Sequence, residues 1–252
     1  MNDNKCNNIL ELYNIFKKIY NYGYIKSDLK DSGGAGNTFE CLIGKKPDSK
    51  SLPDYKNIEI KTSVSSTSYA ISLLSMMPIT GNKSSNEMLQ NFLNICGHYG
   101  IKNNNSKYFN DKITLNEVKY HYSYFIKSYI DINEDCIIIE FISYDLILIE
   151  KMRWPIEYIY CKLKNKSKFL AIVEVDKKKH YNNTYYKYNK IKFYKFKSKH
   201  NLLKALMDKK IFISFNLKLD YINNKYKVRY HGITFDIQKN NINSIYDNIY
   251  FD

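Results

Sequence analysis

Pro53-Asp54-Tyr55-Lys56-Asn57-Ile58-Glu59-Ile60-Lys61 decides how this chain is read. Its last five residues alternate polar and apolar, the period of a strand that turns Glu59 and Lys61 to one face and Ile58 and Ile60 to the other. Asp54 stands at the strand entry, behind a proline that cannot donate to a ladder. Two carboxylates and a lysine therefore converge. Such acids make a hard, oxygen-rich site of the kind Mg2+ prefers, and a neighbouring lysine can orient the attacking water and offset phosphate charge. A further acid, Glu40, lies upstream in Thr38-Phe39-Glu40-Cys41-Leu42-Ile43-Gly44, a segment that reads as helical. The chemistry predicted is metal-dependent hydrolysis of a phosphodiester.

The acid-x-Lys triplet is not specific by itself, since Asp28-Leu29-Lys30 and Asp176-Lys177-Lys178 also fit it. The competing reading is a solvated strand edge that carries Glu and Lys to discourage edge pairing. What favours chemistry is the combination of the preceding Asp54, the alternation and Glu40.

A chain of 252 residues with 44% hydrophobic content can bury one sizeable core or two packed lobes. Its net charge of +14 suits a polyanionic partner. Lysine, asparagine, isoleucine and tyrosine dominate together, however, which is the bias of AT-rich coding, so the charge supports a nucleic-acid partner without carrying it. Arg153 and Arg229 are the only arginines, and arginine is the usual bidentate reader of guanine. Five widely spaced cysteines without a Cys-x-x-Cys pair indicate neither zinc nor a disulfide framework. The N-terminus lacks a basic-then-apolar signal, and the most apolar run, Cys136 to Ile149, is too short to span a bilayer. A cytoplasmic protein without a membrane segment is expected.

Along the chain, Ile9 to Tyr20 has helical spacing and Gly23 is its stop. Ser32 to Asn37 reads as a glycine-rich turn, but no phosphate-loop or dinucleotide fingerprint is present, so no nucleotide cofactor is expected. Tyr69 to Ser75 reads as a strand beside the Glu59 strand, joined to it by a hairpin connection at Ser63 to Ser68. Asn86 to Cys96 reads as a helix, Gly97 to Asp111 as a polar loop, and Cys136 to Ile149 as one or two buried strands. Trp154 to Leu163 reads as a helix with Pro155 in its first turn. Phe169 to Val175 reads as a central strand, with Glu174 and Asp176 a decoy acid pair at its end. From Tyr181 to Lys197 lysines and aromatics interleave, as in a strand with one packed and one basic face. After a helix near Asn201–Met207, the strand Ile211–Leu219 turns at Asn223-Asn224 and returns through Val228 to Ile237.

Gly34-Ala35-Gly36-Asn37-Thr38-Phe39-Glu40-Cys41-Leu42-Ile43-Gly44 followed by Pro53 to Thr62 resembles the active-site block of the MvaI/BcnI-like restriction endonucleases, in the MutH-like branch of the PD-(D/E)XK nucleases. Ile71 to Ser75, Trp154 opening a helix, Phe169 to Asp176, and Tyr230-His231-Gly232-Ile233-Thr234-Phe235 fall in the expected order. The resemblance implies an α/β fold, a mixed central sheet flanked by helices in one two-lobed domain around a DNA cleft. The catalytic strand and helix would lie within residues 32–78 and the recognition elements mainly within 180–237. It implies Mg2+, with Mn2+ able to substitute, held by Asp54 and Glu59, with Glu40 as an auxiliary carboxylate and Lys61 positioning the water. It further implies double-stranded DNA as substrate, a monomer, 5′-phosphate products, and a cognate DNA methyltransferase for the same site. Base contacts are implied at Asn216, Lys218, His231 and Asp236, with Arg229 a further DNA contact. His231 fits the family pattern, whereas the pattern favours Asp, Arg and Arg at the other three, so a different target is expected. A MutH-like nickase, a non-catalytic DNA-binding protein and an RNA nuclease are the alternatives.

Overall fold

The computed structural model describes residues 3–29, 33–45, 52–64, 70–79, 84–100, 103–222 and 225–250. The chain opens with helix α1 (Asp3–Asn21), strand β1 (Ile25–Lys26), helix α2 (Gly34–Leu42), and strands β2 (Ile58–Val64) and β3 (Ala70–Ser75). Helix α3 (Ser85–Cys96) precedes β4 (His98–Gly100), β5 (Asn103–Ile113), β6 (Glu117–Tyr120), β7 (Tyr124–Asp131), β8 (Cys136–Ser143) and β9 (Leu148–Pro155). Then come α4 (Ile156–Lys166), β10 (Phe169–His180), β11 (Asn183–Phe196), α5 (Lys199–Met207), β12 (Ile211–Ile222) and β13 (Lys225–Gln238). A 3-10 helix (Lys239–Ser244) and β14 (Tyr246–Ile249) end the described chain. The fold is mixed α/β, as the sequence predicts.

Two compact units result. The first comprises Met1–Ile71, Lys162–Ser198 and Gln238–Asp252; the second comprises Ser72–Cys161 and Lys199–Ile237. In the first, the strand order is β1-β11-β10-β2, with β14 also on β11. Strand β2 runs parallel to β10, placing Glu59 opposite Leu170 and Lys61 opposite Ile172. The apolar half of the alternation does the seating: Ile58 and Ile60 join Phe169, Ala171 and Val173 of β10, Leu12 and Phe16 of α1 and Phe39 of α2 in one core. Each buried isoleucine is worth roughly 1.5–3 kcal/mol. A one-residue slip would turn both out of that core and drive Glu59 and Lys61 into it, so the register of the acid-bearing strand is fixed by its silent face.

The second unit holds two sheets, β3-β13-β12-β5-β4 and β6-β7-β8-β9. Phe92 of α3 packs edge-on against Phe109 of β5 and Phe141 of β8, with ring centroids 4.9 and 4.6 Å apart. Among the described residues no helix is long and apolar enough to cross a membrane.

Several expectations are corrected. Strand β3 does not lie beside β2: β2 takes β10 as its neighbour, and β3 pairs with β13 in the other unit, where Met76 N–H donates to Ile233 O at 2.9 Å. The connection expected there falls largely outside the described residues, which stop at 64 and resume at 70. The polar segment from Gly97 is mostly strand, because pairing with β12 buries Phe109 and Ile113 and overrides the weak strand propensity of its Asn and Lys residues. Trp154 is the penultimate residue of β9 rather than the opening of a helix; it is fully buried and its indole N–H donates to Met76 O at 3.0 Å. Pro155 is the last strand residue and the helix starts after it, at Ile156. Gly34 and Gly36 sit inside α2, not in a turn before it. Gly34 is enclosed there, since a Cβ would meet the Tyr186 hydroxyl at 2.9 Å.

Candidate active site

A tight turn brings Asp54 to its place. Tyr55 and Ile58 exchange backbone hydrogen bonds of 2.9 and 2.8 Å, with Lys56 between them in the left-handed region at φ 52°. The chain therefore doubles back, and Asp54 Oδ2 accepts the Ile60 N–H at 2.8 Å. This N–H belongs to the outer side of an edge strand and has no strand partner there, so Asp54 both caps the edge and stands beside Glu59.

Glu59 is only 1% exposed, which excludes the solvated-edge reading. Its Oε1 is held by Lys61 Nζ at 2.7 Å and by Lys166 Nζ at 3.3 Å, while Oε2 is buried without a hydrogen-bond partner. Burial pushes the Glu59 carboxyl above its ordinary range; Lys61 pulls the other way and the Asp54 charge adds to the rise. Glu40, in the last turn of α2, reaches the same neighbourhood through Lys45, whose ammonium lies 3.3 Å from Glu40 Oε2 and hydrogen-bonds Asp54 Oδ1. The structure thus brings Glu40, Asp54, Glu59 and Lys61 together, and adds Lys45 and Lys166. No local pattern in the sequence marks these two lysines: one follows a helix end, the other closes a helix more than a hundred residues downstream.

Among the described residues no three His, Cys, Asp or Glu side chains converge as a metal cluster. The donors present do fit a hard divalent ion: two mutually repelling carboxylates, one with a buried oxygen that no protein donor satisfies. The decoy acid Glu174 is differently placed, tied to Lys239 at 3.1 Å and Lys192 at 3.5 Å. Burial acts to raise its carboxyl, but these two lysines hold it below the usual range.

The second unit carries Asn216, Lys218, Arg229 and Asp236 on one face of the β12–β13 pair. Along β12 the apolar Phe215, Leu217 and Leu219 are buried, while Asn216 and Lys218 alternate to the other side. Lys218 pairs with Arg229 across the hairpin. Asp220, on the same face and unmarked by any sequence pattern, binds Lys218 Nζ at 2.7 Å, Arg229 Nε at 3.0 Å and the Ser106 hydroxyl at 2.6 Å. Burial works against the Asp220 charge, but these hydrogen bonds outweigh it and hold its carboxyl below the usual range. Asp236 is buried; Oδ2 accepts from Ser214 at 2.5 Å and Thr234 at 3.0 Å, and Oδ1 has no donor. The register places Gly232 opposite Asn216 and Tyr230 opposite Leu217, so His231 is the extra residue of a β-bulge. Its side chain lies outside what the structure describes, as do residues Asn223 and Asn224, where the sequence predicts a turn.

The model of the MvaI/BcnI restriction endonuclease family matches residues 13–246. The restriction endonuclease MvaI in complex with its cognate DNA substrate is similar in structure, with a TM-score of 0.83 at 20% identity over 99% of this chain and 98% of that one. MvaI in the absence of DNA gives a TM-score of 0.57 at 18% identity over the same shares. At these identities the likeness carries the fold. No curated protein matches the chain at a significant level. The family match spans both units and runs from α1 to the first residue of β14, and on it this chain belongs to the MvaI/BcnI restriction endonuclease family, the site-specific deoxyribonucleases.

Proposed function

We propose that the protein is a Mg2+-dependent type II restriction endonuclease that cleaves double-stranded DNA at a short sequence through Asp54, Glu59, Lys61 and Glu40. The observation that carries this is the Glu59 carboxylate, buried against its own charge beside Asp54 and Lys61, with one oxygen unpartnered. A protein maintains such an arrangement for chemistry, because each unsatisfied buried group costs about 1–3 kcal/mol. Asp54 and Glu59 would hold Mg2+, or Mn2+ in its place, and the ion would supply Lewis-acid polarisation of the scissile phosphate. Lys61, a third exposed, orients the attacking water and meets the charge that develops on the phosphate oxygens. Glu40 is an auxiliary carboxylate that keeps Lys45 in place. In-line attack leaves a 5′-phosphate and a 3′-hydroxyl. The protein acts as a monomer on one strand at a time, alongside a methyltransferase that protects the same site.

Recognition falls to the polar face of β12 and β13. Asp236 Oδ1, with no protein donor, is an acceptor for a base amino group, and Lys218 with Arg229 supplies donors whose positions Asp220 fixes. Lysine is a point charge where a guanidinium would be a fork, so the target differs from the G·C-flanked sites typical of the family.

Mixed-sequence plasmid and phage DNA incubated with the protein and Mg2+ should give discrete fragments sharing one terminal sequence, and EDTA should abolish them. Lys61→Ala should lower cleavage by about 10²–10³ while duplex affinity stays close to wild type. Intact DNA in all conditions, with binding retained, would reduce the protein to a DNA-binding module.

A further inference from the structure

Lys45 belongs to no catalytic pattern, yet it is among the most firmly placed side chains near the acids. Helix α2 ends in a Schellman closure: Gly44, at φ +82°, donates its N–H to Cys41 O at 3.0 Å, and Lys45 donates its own to Glu40 O at 2.9 Å. Lys45 is therefore bound to Glu40 twice, once through its backbone and once through its ammonium. Its side chain is 19% exposed. Burial works against the ammonium, but the hydrogen bond and charge of Asp54 prevail and hold its pKa above the usual lysine value.

The partner oxygen matters. Asp54 Oδ2 has one lone pair taken by the Ile60 N–H at 2.8 Å, and Lys45 is bonded to Oδ1, so a cation that takes Oδ1 meets the ammonium there. An octahedral divalent ion binds carboxylate oxygen at about 2.0–2.1 Å, so an ammonium hydrogen-bonded to the same atom would lie within about 4–5 Å of it. Two cations at that separation repel strongly in a partly buried site.

We propose that Lys45 is a tethered competitor for the divalent cation, and that its ammonium leaves Asp54 Oδ1 before a cation binds there. The inference rests on the metal-dependent reading above and adds a consequence to it.

Calorimetric titration of Mn2+ into the full chain without DNA tests this, with Asp54→Asn marking the signal that belongs to the site. Lys45→Met should bind Mn2+ about tenfold tighter than wild type, since it removes one unit charge and keeps the side-chain length. Lys45→Arg, which keeps the charge, should remain near wild type. Lys45→Gln provides a second neutral variant should the methionine impair folding. Equal or weaker binding by the neutral variants would overturn the proposal while leaving the metal-dependent reading intact. If neither wild type nor the neutral variants bind Mn2+ in an Asp54-dependent way, the metal reading itself fails and the competitor fails with it.

Discussion

Glu59 is the residue at which stability and function pull apart. Its carboxyl titrates above the ordinary 4.5 because burial penalises the charged form more than Lys61 and Lys166 reward it. The folded chain therefore holds the Glu59 proton more tightly than the unfolded one. Stability falls as pH rises from 4.5 through the folded value, and the penalty is complete above it. Replacing the charge with a neutral amide should remove that penalty: Glu59→Gln should melt about 2–4 °C higher at neutral pH, lose the difference below pH 4.5, and cleave no DNA. Lys61 and Lys166 are each about a third exposed, so the loss of their ion pairs with Glu59 costs little against this. A melting curve of Glu59→Gln below wild type at neutral pH would show that the ion pairs, not the burial, dominate. The sequence exposes Glu59 and Lys61 because alternation along five residues is local. Lys45, Lys166 and Asp220 leave no such trace, since each acts on a residue whose nearness is created by the fold.

At the scale of elements, the β12–β13 hairpin shows what turn chemistry and alternation reveal and what they leave out. Both strands are readable, but the bulge at His231 is not, because a single extra residue barely disturbs a period of two. Gly232 is its signature: φ is +109°, and a Cβ there would stand 2.6 Å from Ser75 Oγ on β3. The glycine thus lets β3 dock against the bulged strand. Gly232→Ala should cost about 1–3 kcal/mol from backbone strain and contact together, seen as a lower melting temperature and weaker discrimination between duplexes. Adding Ser75→Ala relieves the clash with Oγ but not the dihedral, so the double variant should recover only part of the stability. A single variant as stable as wild type would refute the strain. The same register logic explains the place of β3: its residues read correctly as a strand, and only the partner, supplied by β13 rather than β2, is beyond local pattern. Strand β5 escapes local pattern for the converse reason, since its polar face resembles a loop until β12 supplies the ladder.

Over the whole molecule, charge is distributed far less evenly than composition suggests. The first unit carries 23 Lys and Arg against 12 Asp and Glu, the second 16 against 13. Residues Lys162–Ser198, from the end of α4 through β11, contain 12 lysines and only two acids. No compositional break marks residues 71, 161, 198 or 237, where the chain passes from one unit to the other, so the division into units is not legible in the sequence although the charge run is. That run decides between two meanings of the net +14, a phosphate-binding surface or the coding bias that lysine shares with asparagine, isoleucine and tyrosine. Lys177, Lys178 and Lys179, exposed at the end of β10, are its densest part. If they meet DNA, replacing all three with glutamine should weaken binding to every duplex alike and lower the slope of log affinity against log salt by about 0.9 for each phosphate that is no longer neutralised. Discrimination between target and non-target duplexes should not change, because phosphate contacts position the protein without reading bases. Lys218→Gln should do the reverse, relaxing discrimination with a slope change of about one or less. An unaltered slope in the triple variant would assign the Lys177–Lys179 charge to composition, and would leave the face built by β12 and β13 to account for the affinity.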